Sequence, residues 1–86
     1  MKAAGTTPRA PDGLVLYQRD ECQLCDHALA ILAAAQVPEF ASVWIDDDPG
    51  LESRYGTRVP VLRDHAGREL DWPFDAGTVR RWLDAP

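Results

Sequence analysis

Hydrophobic and polar residues change their spacing along this chain, and each change marks a predicted helix or strand. Residues 14–18, LVLYQ, form a nearly continuous apolar run, which is typical of a strand buried on both faces. Residues 23–36 are rich in Ala and Leu, contain no Gly or Pro, and predict a helix. The positions that fall at helical spacing on its predicted buried face are Cys25, Ala28, Leu29, Leu32 and Ala35.

The second half of the chain predicts three strands and two further helices. Strands are predicted over residues 40–46, 59–64 and 68–72, and the DHAG segment joins the last two as a hairpin. Asp48 is placed to cap a short helix that ends at Gly56. Asp75 is placed to cap a final helix whose apolar positions are Val79, Trp82 and Leu83.

The resulting order is β-α-β-(short α)-β-β-α. A strand–helix–strand crossover implies a parallel pair and a hairpin adds antiparallel strands, so an α/β fold with a four-stranded mixed sheet is expected. Residues 1–12 contain two prolines and show no apolar periodicity, so they are predicted to be a disordered tail before a single domain over residues 13–86.

Composition and charge narrow the possible functions. The chain has 86 residues, room for one small core, and a formal net charge of −5. An acidic protein is a poor partner for nucleic acid or for an anionic membrane surface. No apolar run reaches transmembrane length and the N-terminal segment lacks the apolar stretch of a signal peptide, so we expect a cytoplasmic monomer.

The only two cysteines, Cys22 and Cys25, are separated by two residues. They are a redox pair, two metal ligands or two packed thiols. In a reducing cytosol, close cysteines are more often catalytic or metal-binding than a structural disulfide. A structural zinc site needs four ligands, and His27 and His65 are badly spaced to complete one, so no metal is expected.

The position of the pair suggests a division of roles. Cys22 falls at the predicted helix N-terminus, where unpaired N–H groups and the helix dipole favour a thiolate, the nucleophile in disulfide exchange. Cys25 lies one turn later on the buried face, where it can resolve a mixed disulfide. Arg19 favours the thiolate and three carboxylates oppose it, so the expected pKa of Cys22 is modestly below the ordinary value of about 8.5. Those carboxylates are Asp20, Glu21 and Asp26.

The segments YQRDECQLCDHA, IDDDP, YGTRVPVL and ELDWPFD resemble those of a family of small bacterial glutaredoxin-like proteins. The resemblance implies a thioredoxin-like, three-layer α/β/α fold and a thiol–disulfide oxidoreductase acting in cell redox homeostasis. It matches Cys22 to the nucleophile and Cys25 to the resolving thiol. Its expected partners are protein disulfides or glutathione, with glutathione as co-substrate and no bound cofactor.

The same resemblance matches Val59-Pro60 to the family's cis-proline dipeptide, which faces the cysteines. A cis bond there is expected to leave the backbone groups of Val59 free to pair with an extended peptide. The alternative hypothesis is a non-catalytic binding module that docks extended peptides at this edge. An intact C-x-x-C favours the enzyme, because docking alone does not need both thiols.

Several residues depart from the glutaredoxin pattern. Gln23-Leu24 replace the usual Pro-Tyr between the cysteines, and Trp72-Pro73 fall where a Gly-Gly pair is usual, so Trp72 is expected to narrow a glutathione groove. Asp75 matches loosely the acidic residue that meets the ammonium of glutathione. Arg19, with Arg54 and Arg58, is expected to pair with a substrate carboxylate. Trp44 and Trp82 are expected to pack in or beside the core.

Overall fold

A parallel pair of strands joined by a helix begins the fold. The computed structural model describes residues 13–37 and 39–85, so the tail predicted over residues 1–12 lies outside the described residues. β1 (Val15–Gln18) leads into α1 (Gln23–Ala34), and the chain returns as β2 (Ala41–Trp44). The two strands are parallel, with Val15 opposite Ala41 and Gln18 opposite Trp44.

The second half adds a short helix, a hairpin and a last helix. α2 (Pro49–Tyr55) precedes β3 (Val61–Arg63) and β4 (Glu69–Asp71), and α3 (Ala76–Asp84) follows. β3 is antiparallel to both β1 and β4, which gives a mixed sheet of order β2-β1-β3-β4. The predicted order of elements and the four-stranded mixed sheet are confirmed.

Two apolar clusters lie on opposite faces of the sheet. On one face, Leu16 of β1 and Leu62 of β3 pack with Leu32 of α1 and Val79 of α3. On the other face, residues in or just after the strands pack with two residues of α2, Leu51 and Tyr55. The residues on the sheet side are Tyr17, Val43, Ile45 and Val61. The rings of Tyr17 and Tyr55 stack with their centroids 4.2 Å apart. The sheet therefore lies between α1 and α3 on one side and α2 on the other. Within the described ranges, no helix has the length and apolar character needed to cross a bilayer.

The register brings several loops to one end of this sheet. Tyr17 pairs with Val61 and Val61 with Asp71, while Gln18 pairs with Trp44. The chain leaves β1 toward Cys22, leaves β2 toward residues 46–48, enters β3 from Pro60 and leaves β4 toward Trp72. All four segments therefore meet at one end, called here the cysteine end of the sheet.

Some predicted details are wrong. The strands are shorter than the apolar runs that predicted them, and α1 stops at Ala34, with Gln36 in the left-handed region at φ 55°. Leu29, expected on the buried face of α1, is 37% exposed. Trp44, expected in or beside the core, is 53% exposed because it lies on β2, an edge strand of the sheet. Trp82 packs against the core as expected.

Candidate active site

Cys22 and Cys25 form a disulfide at the start of α1. Cys22 is the N-cap residue, with extended backbone, and its Sγ accepts a hydrogen bond from the Cys25 N–H at 3.1 Å. A sulfur at this position takes the place of the oxygen that usually caps a helix and meets the positive end of the helix dipole. Cys25 is 2% exposed, whereas Cys22 is only half-buried. Cys22 is therefore the more accessible of the two cysteines.

Arg19 is paired with groups of the protein itself, although its side chain remains 35% exposed. Its guanidinium donates to both carboxylate oxygens of Glu52, at 2.9 Å for Nη1–Oε2, and to the Gly56 carbonyl at 2.9 Å. The hydrogen bond to Glu52 raises the pKa of Arg19, and the charges of Glu52 and Asp46 raise it further. Glu52 thus binds the guanidinium group that was predicted to pair with a substrate carboxylate. Arg19 and Glu52 lie 33 residues apart, and no local pattern predicts their contact.

Acidic residues precede and follow Cys22 in the chain and also occupy the loop after β2 at the same end of the sheet. The Asp20 N–H donates to Asp46 Oδ2 at 2.9 Å, which ties the loop after β1 to the loop after β2. Asp26 lies in the first turn of α1, and its N–H donates to the Cys22 carbonyl. The acidic rim, as we call this set, consists of five exposed residues: Asp20, Glu21, Asp26, Asp46 and Asp47. The Asp46 side chain is 33% exposed and also lies 4.0 Å from Arg19. The sequence signal for it is that both acidic runs follow parallel strands, whose carboxyl ends meet at one edge.

Residues 59–60 lie beside β4 at the cysteine end. The Val59–Pro60 peptide bond is cis, Pro60 is buried, and the Pro60 carbonyl accepts a hydrogen bond from the Trp72 N–H at 3.2 Å. The expectation of free backbone groups at Val59 is wrong for the donor, since the Val59 N–H donates to the Tyr55 carbonyl at 3.0 Å. That bond satisfies the last carbonyl of α2 and makes the Val59 N–H unavailable to an extended peptide.

An ion network fixes the segment before Val59 to the edge strand β4. Arg58 donates to both oxygens of Asp71, at 3.0 and 2.8 Å, and to Glu69 at 2.6 Å. The buried Tyr55 donates its hydroxyl to Glu69 at 2.6 Å. Hydrogen bonds from Arg58 lower the pKa of Asp71 and, with that from Tyr55, the pKa of Glu69. Sequence reasoning assigned Arg58 and the more exposed Arg54 to a substrate carboxylate, but both lie beside Glu69.

The remaining predicted site residues differ in where their side chains lie: some are exposed beside the cysteines, and others take part in packing or helix capping. Gln23 and Leu24 are exposed between the cysteines, and Leu24 is 46% exposed. Trp72 lies next to Pro60, but its ring packs edge-on against Phe74 and joins the cluster on the α1–α3 face. Asp75 caps α3 by accepting from the Thr78 N–H at 2.7 Å, and this bond lowers the pKa of Asp75.

Metal-binding side chains do not converge in the part of the chain that the structure describes. In residues 13–37 and 39–85, no group of three or more His, Cys, Asp or Glu side chains is arranged to hold an ion. His27 is an exposed residue of α1, and His65 is exposed in the loop between β3 and β4.

Comparison with known proteins identifies similar sequences and folds. Residues 13–84 match the family described as glutaredoxin-like domain (DUF836). No curated protein matches the chain. The X-ray structure of Northeast Structural Genomics target protein XcR50 from X. campestris is similar at 66% identity and TM-score 0.83, over 85% of this chain and 99% of that one. Its solution structure has the same identity and coverage of this chain, covers 95% of that one, and gives a TM-score of 0.80.

A more distant structure has the same architecture. The solution NMR structure of protein Ne2328 from Nitrosomonas europaea is 29% identical, with a TM-score of 0.69 over 94% of this chain and 98% of that one. Together with the element order and the mixed sheet, these similarities identify the fold as the thioredoxin-like α/β fold that the sequence resemblance implies.

Proposed function

The chain belongs to the glutaredoxin-like domain family, and from this premise we propose that it is a thiol–disulfide oxidoreductase. Cys22 is the attacking thiol and Cys25 the resolving thiol. Its proposed substrates are protein disulfides or glutathione-linked disulfides, and it acts as a cytoplasmic monomer. The observation that carries the proposal is the contrast at the start of α1, where Cys22 is partly exposed and Cys25 is only 2% exposed.

The exchange proceeds in two steps. In the reduced protein, the Cys22 thiolate attacks one sulfur of a substrate disulfide, forms a mixed disulfide and releases the other sulfur as a thiolate that takes up a proton. Cys25 then loses its proton and attacks Cys22, which forms the Cys22–Cys25 disulfide and releases the second substrate thiol. The substrate gains two electrons and two protons, and the protein dithiol loses them. An external thiol or dithiol reductant must regenerate the protein.

Local geometry supports both steps. The helix N-terminus and the Cys25 N–H both favour negative charge on the Cys22 sulfur. The Cα atoms of the two cysteines lie 5.2 Å apart, within the range for a disulfide, so resolution needs little backbone movement. A helix of twelve residues behind the pair holds this spacing.

Reduction of a disulfide substrate by dithiothreitol, with and without the protein, tests the proposal. Wild type should accelerate insulin reduction, and Cys22→Ser should reduce the rate to that of dithiothreitol alone. Cys25→Ser should instead accumulate a mixed disulfide that mass spectrometry detects, because the attacking thiol remains and the resolving thiol is gone. Equal acceleration by wild type and Cys22→Ser would refute the proposal.

The same assay addresses the alternative of a peptide-binding module that does not turn over. Such a module would bind a reduced, extended peptide equally well with and without both thiols, and wild type would not accelerate disulfide reduction. The hydrogen bond from the Val59 N–H to Tyr55 weighs against this alternative, since it occupies the backbone donor that peptide docking needs.

A further inference from the structure

We propose, on the basis of the oxidoreductase function above, that the preferred substrate is a disulfide on a positively charged, partly apolar protein surface rather than glutathione disulfide. The proposal assigns the acidic rim and two exposed apolar side chains as the specificity-determining surface around Cys22.

Each of the three arginines suggested for a substrate carboxylate has a carboxylate partner in the protein, and Arg54, at 3.7 Å from Glu69, is the one whose side chain is also largely exposed, at 64%. Arg19 is bound by Glu52 through a two-pronged interaction, and Asp46 lies 4.0 Å from it. On the opposite side of the cysteine end, Arg58 is bound by Glu69 and Asp71. Glutathione disulfide carries more carboxylates than ammonium groups at neutral pH. Its excess negative charge would therefore meet guanidinium groups whose charge is already compensated.

Exposed residues of the acidic rim flank the half-buried Cys22, and Asp46 is the member that also lies 4.0 Å from Arg19. Asp20 and Glu21 immediately precede Cys22, and Asp26 is one helical turn after it. The hydrogen bond from the Asp20 N–H to Asp46 adds the loop after β2 to the same side. Like charges around an opening concentrate counter-charged partners and repel anions, and association rates change by tenfold or more through such steering.

Exposed apolar side chains lie at the same end. Leu24 is 46% exposed between the cysteines, and Trp44, which pairs in register with Gln18 at the end of β2, is 53% exposed. Of the described residues, only Leu29 joins these two as an exposed large hydrophobic side chain. A partner with basic residues beside an apolar patch matches both properties, whereas a small, anionic disulfide matches neither.

A matched set of disulfide probes tests the assignment. Three synthetic peptides carry the same disulfide and the same neighbouring apolar residue, flanked by lysines, by glutamines or by glutamates, and glutathione disulfide is the fourth probe. Stopped-flow tryptophan fluorescence of the fully reduced protein gives the second-order rate constant for each. At low ionic strength the lysine peptide should react at least about tenfold faster than the glutamate peptide. In ~1 M salt, where the screening length is about 3 Å, that ratio should fall to about twofold or less.

Substitutions locate the source of the preference. The double variant Glu21→Gln/Asp26→Asn should lower the lysine-to-glutamate rate ratio by at least about threefold. Its ratio is informative because any change in the nucleophilicity of Cys22 affects both peptides alike. The control Glu39→Gln removes the same type of charge from an exposed residue just before β2, at the opposite end of the sheet, and should leave the ratio unchanged.

Each outcome decides the question. Equal rates for the three peptides, a faster glutamate peptide or glutathione disulfide, or a ratio that the double variant leaves intact would overturn the inference while the oxidoreductase function stands. Failure of every probe to react faster with wild type than with Cys22→Ser would overturn the proposed function and the inference together. A salt-sensitive lysine preference that depends on Glu21 and Asp26 would support the inference.

Discussion

At the start of α1, two identical side chains have unequal surroundings because of helix geometry. Cys22 is the N-cap, whose extended backbone directs it away from the helix, while Cys25 lies in the first turn on the face that packs against the sheet. Three positions along a helix correspond to nearly one full turn, so the sulfurs lie close enough to bond although one residue is only half-buried and the other is fully buried. The spacing therefore makes one thiol accessible and keeps its partner shielded.

Neutralising Glu21 should increase the acidity of the Cys22 thiol. In the reduced protein, Glu21→Gln removes a negative charge from the residue that precedes Cys22, so the thiolate is less disfavoured and the pKa of Cys22 should fall relative to wild type. Thiolate absorbance near 240 nm measures this, best in a Cys25→Ser background that contains a single thiol. The remote substitution Glu39→Gln is the control. An unchanged or higher pKa in Glu21→Gln would show that this carboxylate does not act on the sulfur.

The sequence pattern predicted burial correctly at the centre of α1 and incorrectly at the margin of its apolar face. Cys25, Ala28 and Leu32 are all buried as predicted. Leu29 lies about 100° around the helix from Ala28, at the edge of the apolar stripe, where helical periodicity cannot distinguish half-covered positions from open ones. The prediction for Trp44 was wrong for another reason. The order of strands in the sheet decides whether a side chain has neighbours on both sides, and local sequence patterns do not show that β2 is an edge strand.

Among the elements, α2 depends most on its cap, because it has only seven residues. The Asp48 carboxylate accepts hydrogen bonds from the N–H groups of Gly50 and Leu51, at 3.0 and 3.1 Å. Asp48→Ala should lower the free energy of unfolding by ~1 kcal/mol, the usual cost of losing an N-cap. Chemical denaturation monitored by circular dichroism measures the change.

Two matched substitutions separate capping from charge in this test. Asp48→Asn keeps an accepting oxygen and should retain most of the stability, since Asn caps helices about as well as Asp. Asp47→Ala removes a neighbouring charge without removing a cap, and its effect should stay within ~0.5 kcal/mol. Equal losses in Asp47→Ala and Asp48→Ala would contradict a specific role for the Asp48 cap.

Element type was predictable along the chain, while element ends and long-range partners were not. The caps Asp48 and Asp75 were identified from local spacing, because a cap bonds to N–H groups two or three residues away. The start of β3 was placed too early, since the Val59 N–H bonds to Tyr55 instead of a neighbouring strand. Pairing of Arg19 with Glu52 depends on how β1 and α2 meet in space, which no local pattern encodes.

At the scale of the molecule, the Tyr55–Glu69–Arg58 contacts join the α2 side of the core to the outer edge of the sheet. Tyr55 is 1% exposed and stacks on Tyr17 of β1, and its hydroxyl reaches Glu69 of β4. Burial, followed by the hydrogen bond to Glu69, raises the pKa of Tyr55, so the hydroxyl remains a donor. The buried hydroxyl therefore has an acceptor only while the edge strand stays in place.

The charge of Glu69 should make the stability of the whole domain sensitive to acid. Hydrogen bonds from Arg58 and Tyr55 lower its pKa in the folded protein, so the carboxylate stabilises the fold fully above its unfolded pKa of about 4.3. That contribution is lost as the pH falls through the lowered folded value. Glu69→Gln should therefore reduce the free energy of unfolding by about 1–2 kcal/mol at neutral pH. The deficit should shrink steadily below about pH 4.

Denaturant titrations of wild type and Glu69→Gln from neutral pH down to the lowest pH at which both remain folded test this dependence. The variant should show a shallower fall of stability with acid, and some slope should remain because Arg58 also lowers the pKa of Asp71. Glu39→Gln changes an exposed carboxylate outside this network, so it should not show a stability deficit that shrinks with acid. A deficit for Glu69→Gln that stays constant across the whole pH range would show that the lost stability comes from packing or hydrogen-bond geometry. In that case, the ion pair between Glu69 and Arg58 would not be the source of the lost stability.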